Sequence, residues 1–130
     1  MTSTFDELKV GTKMKIQTIK ELLDARILCG EDNIEKEVNS ACGCDMMSDV
    51  LAFVKDQAVL LTGLCNPQVV RTAMMMDMRC IVFVRGKKPT EDVISLAQEA
   101  GIVVLSTDMR MYVACGILYA HGLHGGECYK

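Results

Sequence analysis

Three short apolar runs, separated by two segments with helical spacing, constrain the fold of this chain more than any other feature. The runs lie at 58–62, 80–84 and 102–105 and are rich in valine, isoleucine and leucine. The segments between them, at 68–78 and 90–100, carry their apolar residues at helical spacing. Apolar strands that alternate with amphipathic helices are typical of a parallel sheet covered on both faces. The sequence therefore predicts an α/β domain built from βαβ units.

Helix starts and stops are marked in the same region. Asn66 followed by Pro67 predicts a helix start, because asparagine caps free N–H groups and proline suits the first helical position. Thr90 precedes two acidic residues that favour the positive end of a second helix. Gly101 is placed to end that helix.

Shorter elements are predicted on either side of this region. Thr18 has the character of an N-cap for a first helix that ends near Ala25. The other predicted elements are strands at 27–29 and 38–42, a helix capped by Asp45 or Ser48 and running to 54, and a final helix at 108–120 capped by Ser106 or Thr107.

The chain has the length of one domain. With 130 residues it is long enough for one hydrophobic core and too short for two. We expect an irregular leader at 1–13, a single α/β domain at 14–123 and a flexible tail at 124–130.

Composition and charge exclude several classes of partner. The chain is 50% apolar and has a formal net charge of −3, which argues against nucleic acid or an anionic membrane as its main partner. No apolar run reaches the roughly 18–20 residues of a membrane span. The polar N-terminus lacks the apolar segment of a signal peptide. We therefore expect a cytoplasmic protein.

Sulfur-containing residues are abundant. The seven cysteines are odd in number and several lie inside apolar runs, so free thiols are expected rather than disulfides. The run 74–76 consists of three methionines, which cannot all face one core because a helix turns by about 100° per residue. Either this helix is buried on two sides, or the methionines form a subunit interface in a homodimer or higher oligomer.

Several short motifs in the apolar array resemble a known family. They are Leu61-Thr62-Gly63, the helix from Asn66, the turn at 86–89, the run at 99–104, and Ser106-Thr107-Asp108 before a helix. Over about 14–123 the chain resembles the DRTGG domain, which is similar to the N-terminal domain of HPr kinase/phosphorylase. The resemblance implies a three-layer α/β/α fold with a mixed, mainly parallel sheet. It also implies a non-catalytic regulatory or oligomerisation module, often joined to CBS domains or to a partner enzyme.

The signature residues of that family are mostly replaced. Leu64-Cys65 stands where its Asp-Arg pair would fall, and Val84-Arg85-Gly86 stands where its Thr-Gly-Gly would fall. Kinase activity is not expected, because it needs a phosphate-binding loop that ends in Gly-Lys-Ser/Thr. The Gly86-Lys87 pair is followed by Lys88, and Ile81 occupies the position of the first glycine of such a loop. The chain is therefore not expected to be an enzyme.

A ligand site is predicted where the strands end. Ligands of open parallel sheets bind beyond the carboxyl ends of strands, near helix N-termini. The candidate residues form three corners: Thr62, Gly63 and Asn66; Arg85, Gly86 and Thr90; Ser106 and Thr107. Arg85 with Lys87 or Lys88 would attract a small anionic ligand such as a nucleotide. The alternative interpretation is a set of ordinary turns and helix caps.

A second hypothesis uses the cysteines. Cys42, Cys44 and Cys65 are candidates for a redox or metal-linked accessory protein, and Cys65 is expected to have a lowered pKa near a helix N-terminus. No Cys-x-x-Cys pair is present, so the sequence specifies neither a metal nor a cofactor. A third hypothesis, a Cys/His nucleophile, would depend on His121 and His124 in the glycine-rich tail.

Overall fold

The computed structural model describes residues 13–53 and 57–125, so the predicted leader up to residue 12 and the end of the predicted tail lie outside the described residues. No described helix is long and apolar enough to cross a membrane. A 3-10 turn at Glu31–Asn33 follows the second strand. The other elements are β1 (Met14–Lys15), α1 (Ile16–Leu22), β2 (Arg26–Cys29), β3 (Glu37–Val38), β4 (Ser40–Gly43), α2 (Met47–Phe53), β5 (Ala58–Thr62), α3 (Pro67–Met75), β6 (Cys80–Phe83), α4 (Glu91–Ala100), β7 (Val103–Ser106) and α5 (Met111–Ala120).

Five strands form the central sheet in the order β2-β7-β6-β5-β4. The four strands β4 to β7 are parallel, and β2 runs antiparallel to β7 at one edge. The short strands β1 and β3 form a separate antiparallel pair. The predicted mixed, mainly parallel sheet is confirmed.

Successive residues of each central strand pack into two different cores. On β5, Val59 and Leu61 belong to a core shared with α1 and α5, whereas Leu60 packs with α2, α3 and α4. The same alternation holds on β6 and β7. Because side chains alternate between the faces of a sheet, two helical layers enclose it. The three-layer α/β/α prediction is confirmed.

The first helix begins earlier than predicted. Thr18 lies inside α1, and Lys15 occupies the N-cap position. The Ile16 amide donates to the Lys36 carbonyl at 2.9 Å, and the Gln17 amide donates to the Ile34 carbonyl at 2.9 Å. These bonds satisfy two of the free N–H groups in the first turn of α1, so tertiary pairing sets the start of the helix.

The predicted strand at 38–42 and the predicted start of the last helix also differ. The strand is divided at Asn39, whose amide donates to the Gln57 carbonyl at 2.8 Å, so that β3 pairs with β1 while β4 joins the central sheet. The last helix has Arg110 as its N-cap instead of Ser106 or Thr107. Residues before Arg110 cannot continue the helix, because the Met109 carbonyl accepts a bond from the Arg85 amide at 2.7 Å.

Candidate functional site

The carboxyl ends of the four parallel strands meet at one edge of the sheet, which we call the carboxyl edge. It is formed by the residues that follow β4, β5, β6 and β7. Because β2 is antiparallel, its first residue, Arg26, lies there too, paired with Ser106. The structure therefore brings the predicted corners to one edge and adds Arg26, which the sequence did not single out.

The first corner is organised by a carboxylate. Asp45 Oδ1 accepts the Thr62 hydroxyl at 2.9 Å and the Gly63 amide at 2.8 Å. The Gly63 bond lowers the pKa of Asp45, and the Thr62 bond and the nearby Arg85 charge act in the same direction against partial burial. Asp45 was predicted only as a helix cap. Its carboxylate instead accepts hydrogen bonds from Thr62 and Gly63, two residues that were predicted to bind a ligand.

The second corner holds an arginine in an unusual backbone conformation. Arg85 has a φ of 59°, in the left-handed region that side-chain-bearing residues rarely adopt, and Gly86 follows with a φ of 67°. The Gly86 amide donates to the Thr107 carbonyl at 2.8 Å. Together with the Arg85–Met109 bond, this contact fixes the turn after β6 against the turn after β7. The Arg85 side chain remains exposed.

The Arg85 guanidinium reaches across to the first corner. A Cβ placed on Gly63 would collide with Arg85 Nη2 and lie 3.3 Å from Cζ. Glycine at position 63 therefore permits the guanidinium to lie against the backbone beyond β5. The arrangement gives one exposed cation a defined position between two strand ends.

The third corner is structural. The Ser106 hydroxyl donates to the Lys87 carbonyl at 3.0 Å, and the Thr107 hydroxyl donates to the Leu23 carbonyl at 2.6 Å. The Thr107 oxygen also accepts the Met109 amide at 3.2 Å. Both side chains are buried. They hold the turns together and offer no exposed polar atom to a ligand.

The two predicted helix caps lie at the ends of their helices. Asn66 and Thr90 are the N-cap residues of α3 and α4, both with extended backbone and without a side-chain capping bond. Both residues are exposed. Their side chains are therefore not used to cap the helices that they precede.

Further cations surround Arg85. Lys87 and Lys88 are exposed on the same turn. Arg26 forms an exposed ion pair with Asp108, with 3.6 Å between Nη2 and Oδ1. Arginine binds phosphate and carboxylate groups through two parallel N–H bonds, and lysine adds charge. The carboxyl edge can thus attract an anion, in competition with Asp45 and Asp108.

The three candidate cysteines border the same hydrophobic core. Cys44 Sγ contacts the Met46 carbonyl at 3.4 Å, and Cys65 Sγ contacts the Gly63 carbonyl at 3.8 Å, while Cys42 is half-buried on β4. Burial raises the pKa of Cys65, and the charges of Lys87 and Arg85 only oppose it. The predicted lowering of that pKa is wrong. Within 13–53 and 57–125, no group of three or more potential ligands is placed to hold a metal ion.

Comparison with known proteins gives one family and one fold. The sequence profile of the DRTGG domain matches residues 18–119. No curated protein sequence matches the chain. A similar solved structure comprises the CBS and DRTGG domains of the regulatory region of Clostridium perfringens pyrophosphatase, complexed with its activator diadenosine tetraphosphate. The TM-score is 0.68 at 14% identity, and the alignment covers 100% of this chain but only 55% of that one.

Proposed function

The chain belongs to the DRTGG domain family, and on that basis we propose that it is a non-catalytic regulatory domain that binds a small anionic ligand, such as a nucleotide, at the carboxyl edge. We further propose that it self-associates and that ligand binding is communicated to a partner enzyme. The predicted similarity to the N-terminal domain of HPr kinase/phosphorylase and the expected cytoplasmic location stay predictions.

The position of Arg85 is the observation that carries this proposal. Its backbone is held in the left-handed region by bonds from its own amide and that of Gly86, and its guanidinium lies against Gly63. A left-handed arginine costs free energy that glycine would avoid, and such backbone positions cluster at ligand sites. Lys87 and Lys88 extend the positive charge beyond it.

The related structure supports the proposed ligand class. Its activator, diadenosine tetraphosphate, combines a polyphosphate chain with two nucleosides. Phosphate oxygens match the paired donors of Arg85, and a chain of phosphates would also reach the exposed lysines. The low identity carries only the fold from that protein to this one, so the ligand class is part of our proposal.

The carboxylate of Asp45 would influence the binding of a phosphate to Arg85. Its carboxylate already interacts with Arg85 and occupies the Thr62 and Gly63 donors. A phosphate on Arg85 would add negative charge beside this carboxylate and raise the pKa of Asp45. Repulsion from this carboxylate would therefore oppose binding at neutral pH, where Asp45 is ionised.

The proposal is tested by titration calorimetry with ATP, AMP and diadenosine tetraphosphate. We expect at least one of them to bind the wild-type chain and Arg85→Ala to weaken that binding about tenfold or more, as for the loss of a charged hydrogen bond. Arg71→Ala, an equal change of charge at an exposed position on α3, is the matched control. Unchanged affinity in Arg85→Ala would show that the ligand does not bind at the carboxyl edge. Absence of binding to all three compounds would contradict the proposal that the ligand is a nucleotide.

A further inference from the structure

Helix α5 is apolar on both of its faces. Its ten residues, Met111–Ala120, include no charged side chain. A surface helix of a globular protein normally carries charged or polar residues on the face away from the core, and a helix that is apolar all round is normally buried. The outer face of α5 is nevertheless exposed in the single chain.

The exposed residues of α5 form one continuous stripe. Tyr112 is 90% exposed and Tyr119 is 58% exposed, whereas Ala114 and Leu118 are fully buried against the sheet. At about 100° per residue, Gly116 falls at the centre of the outer face. We call this set the α5 stripe: Tyr112, Val113, Gly116, Tyr119 and Ala120.

We propose that the α5 stripe is the surface through which two copies of this chain pair, with their α5 helices antiparallel across a two-fold axis near Gly116. This inference rests on the self-association in the proposed function and names its surface. A two-fold interface must be complementary to itself. The spacing of the stripe fulfils this condition.

Large residues of the stripe meet small ones across such an axis. Tyr112 lies four residues before Gly116 and would face Ala120 of the partner subunit, four residues after it. Tyr119 lies three residues after Gly116 and would face Val113 of the partner subunit. Apart from the backbone of its own helix, no atom of residues 13–53 and 57–125 would come within 4 Å of a Cβ on Gly116, so nothing in the described part of the chain covers the crossing point. Side-chain size at a helix crossing sets how closely two helices approach.

The charges at the helix ends favour the same arrangement. Helix α5 has no acidic residue in its first turn and no basic residue in its last turn, and its N-cap residue is Arg110. A cation at the positive end of a helix dipole is unfavourable, and one at the negative end is favourable. In an antiparallel pair, Arg110 of each copy lies beside the C-terminal end of the partner helix.

The exposed methionines of α3 form a weaker candidate for this interface. Met75 is 72% exposed and Met74 is 49% exposed, so the prediction that the three methionines do not all face one core is confirmed. Their side of α3 also exposes Gln68 and Arg71. The α5 stripe contains no such polar residue, and we therefore assign the pairing to α5.

The size of the stripe sets the expected affinity. A buried tyrosine contributes about 150–250 Å², so the two tyrosines and their neighbours offer roughly 300–400 Å² per copy. A standard interface uses about 800 Å² per partner. We therefore expect a reversible dimer of modest affinity, detectable by sedimentation equilibrium at micromolar to millimolar protein concentrations.

Crosslinking and sedimentation of the full chain test the proposal. Gly116→Cys is expected to form an intermolecular disulfide between the two introduced thiols under mild oxidation, identified by mass spectrometry of the linked peptides. Met75→Cys, an exposed position on the opposite layer, is the matched control and is expected not to crosslink in this way. Gly116→Glu, which places bulk and like charges at the crossing, is expected to weaken dimerisation at least tenfold while leaving the far-UV circular dichroism unchanged.

The outcomes separate this inference from the proposed function. A dimer that crosslinks through position 75 and is unaffected by Gly116→Glu would overturn the α5 assignment and leave self-association standing. A chain that stays monomeric at all concentrations would overturn both. Nucleotide binding to the carboxyl edge is measured independently in Arg85→Ala, so failure of the ligand proposal does not alter either result.

Discussion

The guanidinium of Arg85 lies directly against the backbone of Gly63, so that a Cβ at position 63 would come 3.3 Å from Arg85 Cζ and 3.4 Å from Nε. The two residues follow neighbouring strands, β5 and β6. The position of the Arg85 side chain, beyond β6, thus depends on the absence of a side chain at Gly63, beyond β5. This dependence can be tested without altering the arginine itself.

Gly63→Ala should displace the Arg85 side chain and weaken nucleotide binding nearly as much as Arg85→Ala. The obstructed atoms belong to the end of a long side chain, which can move, so the free energy of unfolding should fall by less than about 1 kcal/mol. Calorimetry and urea unfolding measure the two effects. In the double variant Gly63→Ala/Arg85→Ala the losses in affinity should not add, and fully additive losses would show that position 63 acts independently of Arg85.

Arg85→Gly should be more stable than Arg85→Ala by about 1 kcal/mol. Both variants remove the guanidinium, but only glycine relieves the positive φ of 59°. Both variants should bind the nucleotide about tenfold or more weakly than the wild type, so stability and binding separate at this position. Asp77, with a φ of 55° on the turn after α3, is the control: Asp77→Gly should show a stability gain over Asp77→Ala without loss of binding. Equal unfolding free energies for Arg85→Gly and Arg85→Ala would contradict a strained arginine.

Stability should depend on pH through Asp45. Its pKa in the folded protein lies below the ordinary value of about 3.9 because the Gly63 amide and the Thr62 hydroxyl favour the ionised form. The stabilisation is therefore complete above about pH 4 and disappears as the pH falls through the lowered folded pKa. Asp45→Asn should be less stable than wild type at pH 7 and approach it in acid, as the pH falls through the lowered folded pKa of Asp45. Urea unfolding across this range measures the difference, with the exposed Asp32→Asn as control; a gap that persists in acid would contradict the role of the charge.

Cys65 should react slowly with iodoacetamide near neutral pH. Burial raises the pKa of its thiol, and only the thiolate is a good nucleophile. Because Lys87 and Arg85 oppose this shift, Lys87→Ala should raise the pKa of Cys65 further and slow the labelling. Mass spectrometry of the Cys65 peptide against pH gives the rate. If Cys65 labelled fastest of the described cysteines, the redox hypothesis would regain support.

The central sheet was predictable because its signals are local. Each of β5, β6 and β7 is an apolar run, and the helices between them begin after Asn66 and Thr90 as the turn chemistry indicates. Gly101 ends α4 in the left-handed region, with a φ of 74°. These elements need no long-range information, since strand length, helical spacing and cap residues already agree with each other.

The remaining features depend on contacts between distant residues. Thr18 has the side chain of an N-cap, yet the carbonyls of residues 34 and 36 supply the acceptors that begin α1 three residues earlier. Asp45 also has the side chain of a helix cap, but Thr62 and Gly63, at the end of the neighbouring strand, bind it. The left-handed backbone of Arg85 has no signal in the sequence, because arginine is not a residue type that favours it.

The layer formed by α1 and α5 has a consequence for how this chain is made. Its two helices come from opposite ends of the described chain, and both pack on the same face of the sheet. During synthesis, the part of that face that α5 covers stays exposed until residue 120 has left the ribosome, although α1 is made first. Helices α2 to α4 can cover the other face earlier. A nascent chain that stalls before α5 would therefore expose apolar sheet surface, which favours aggregation.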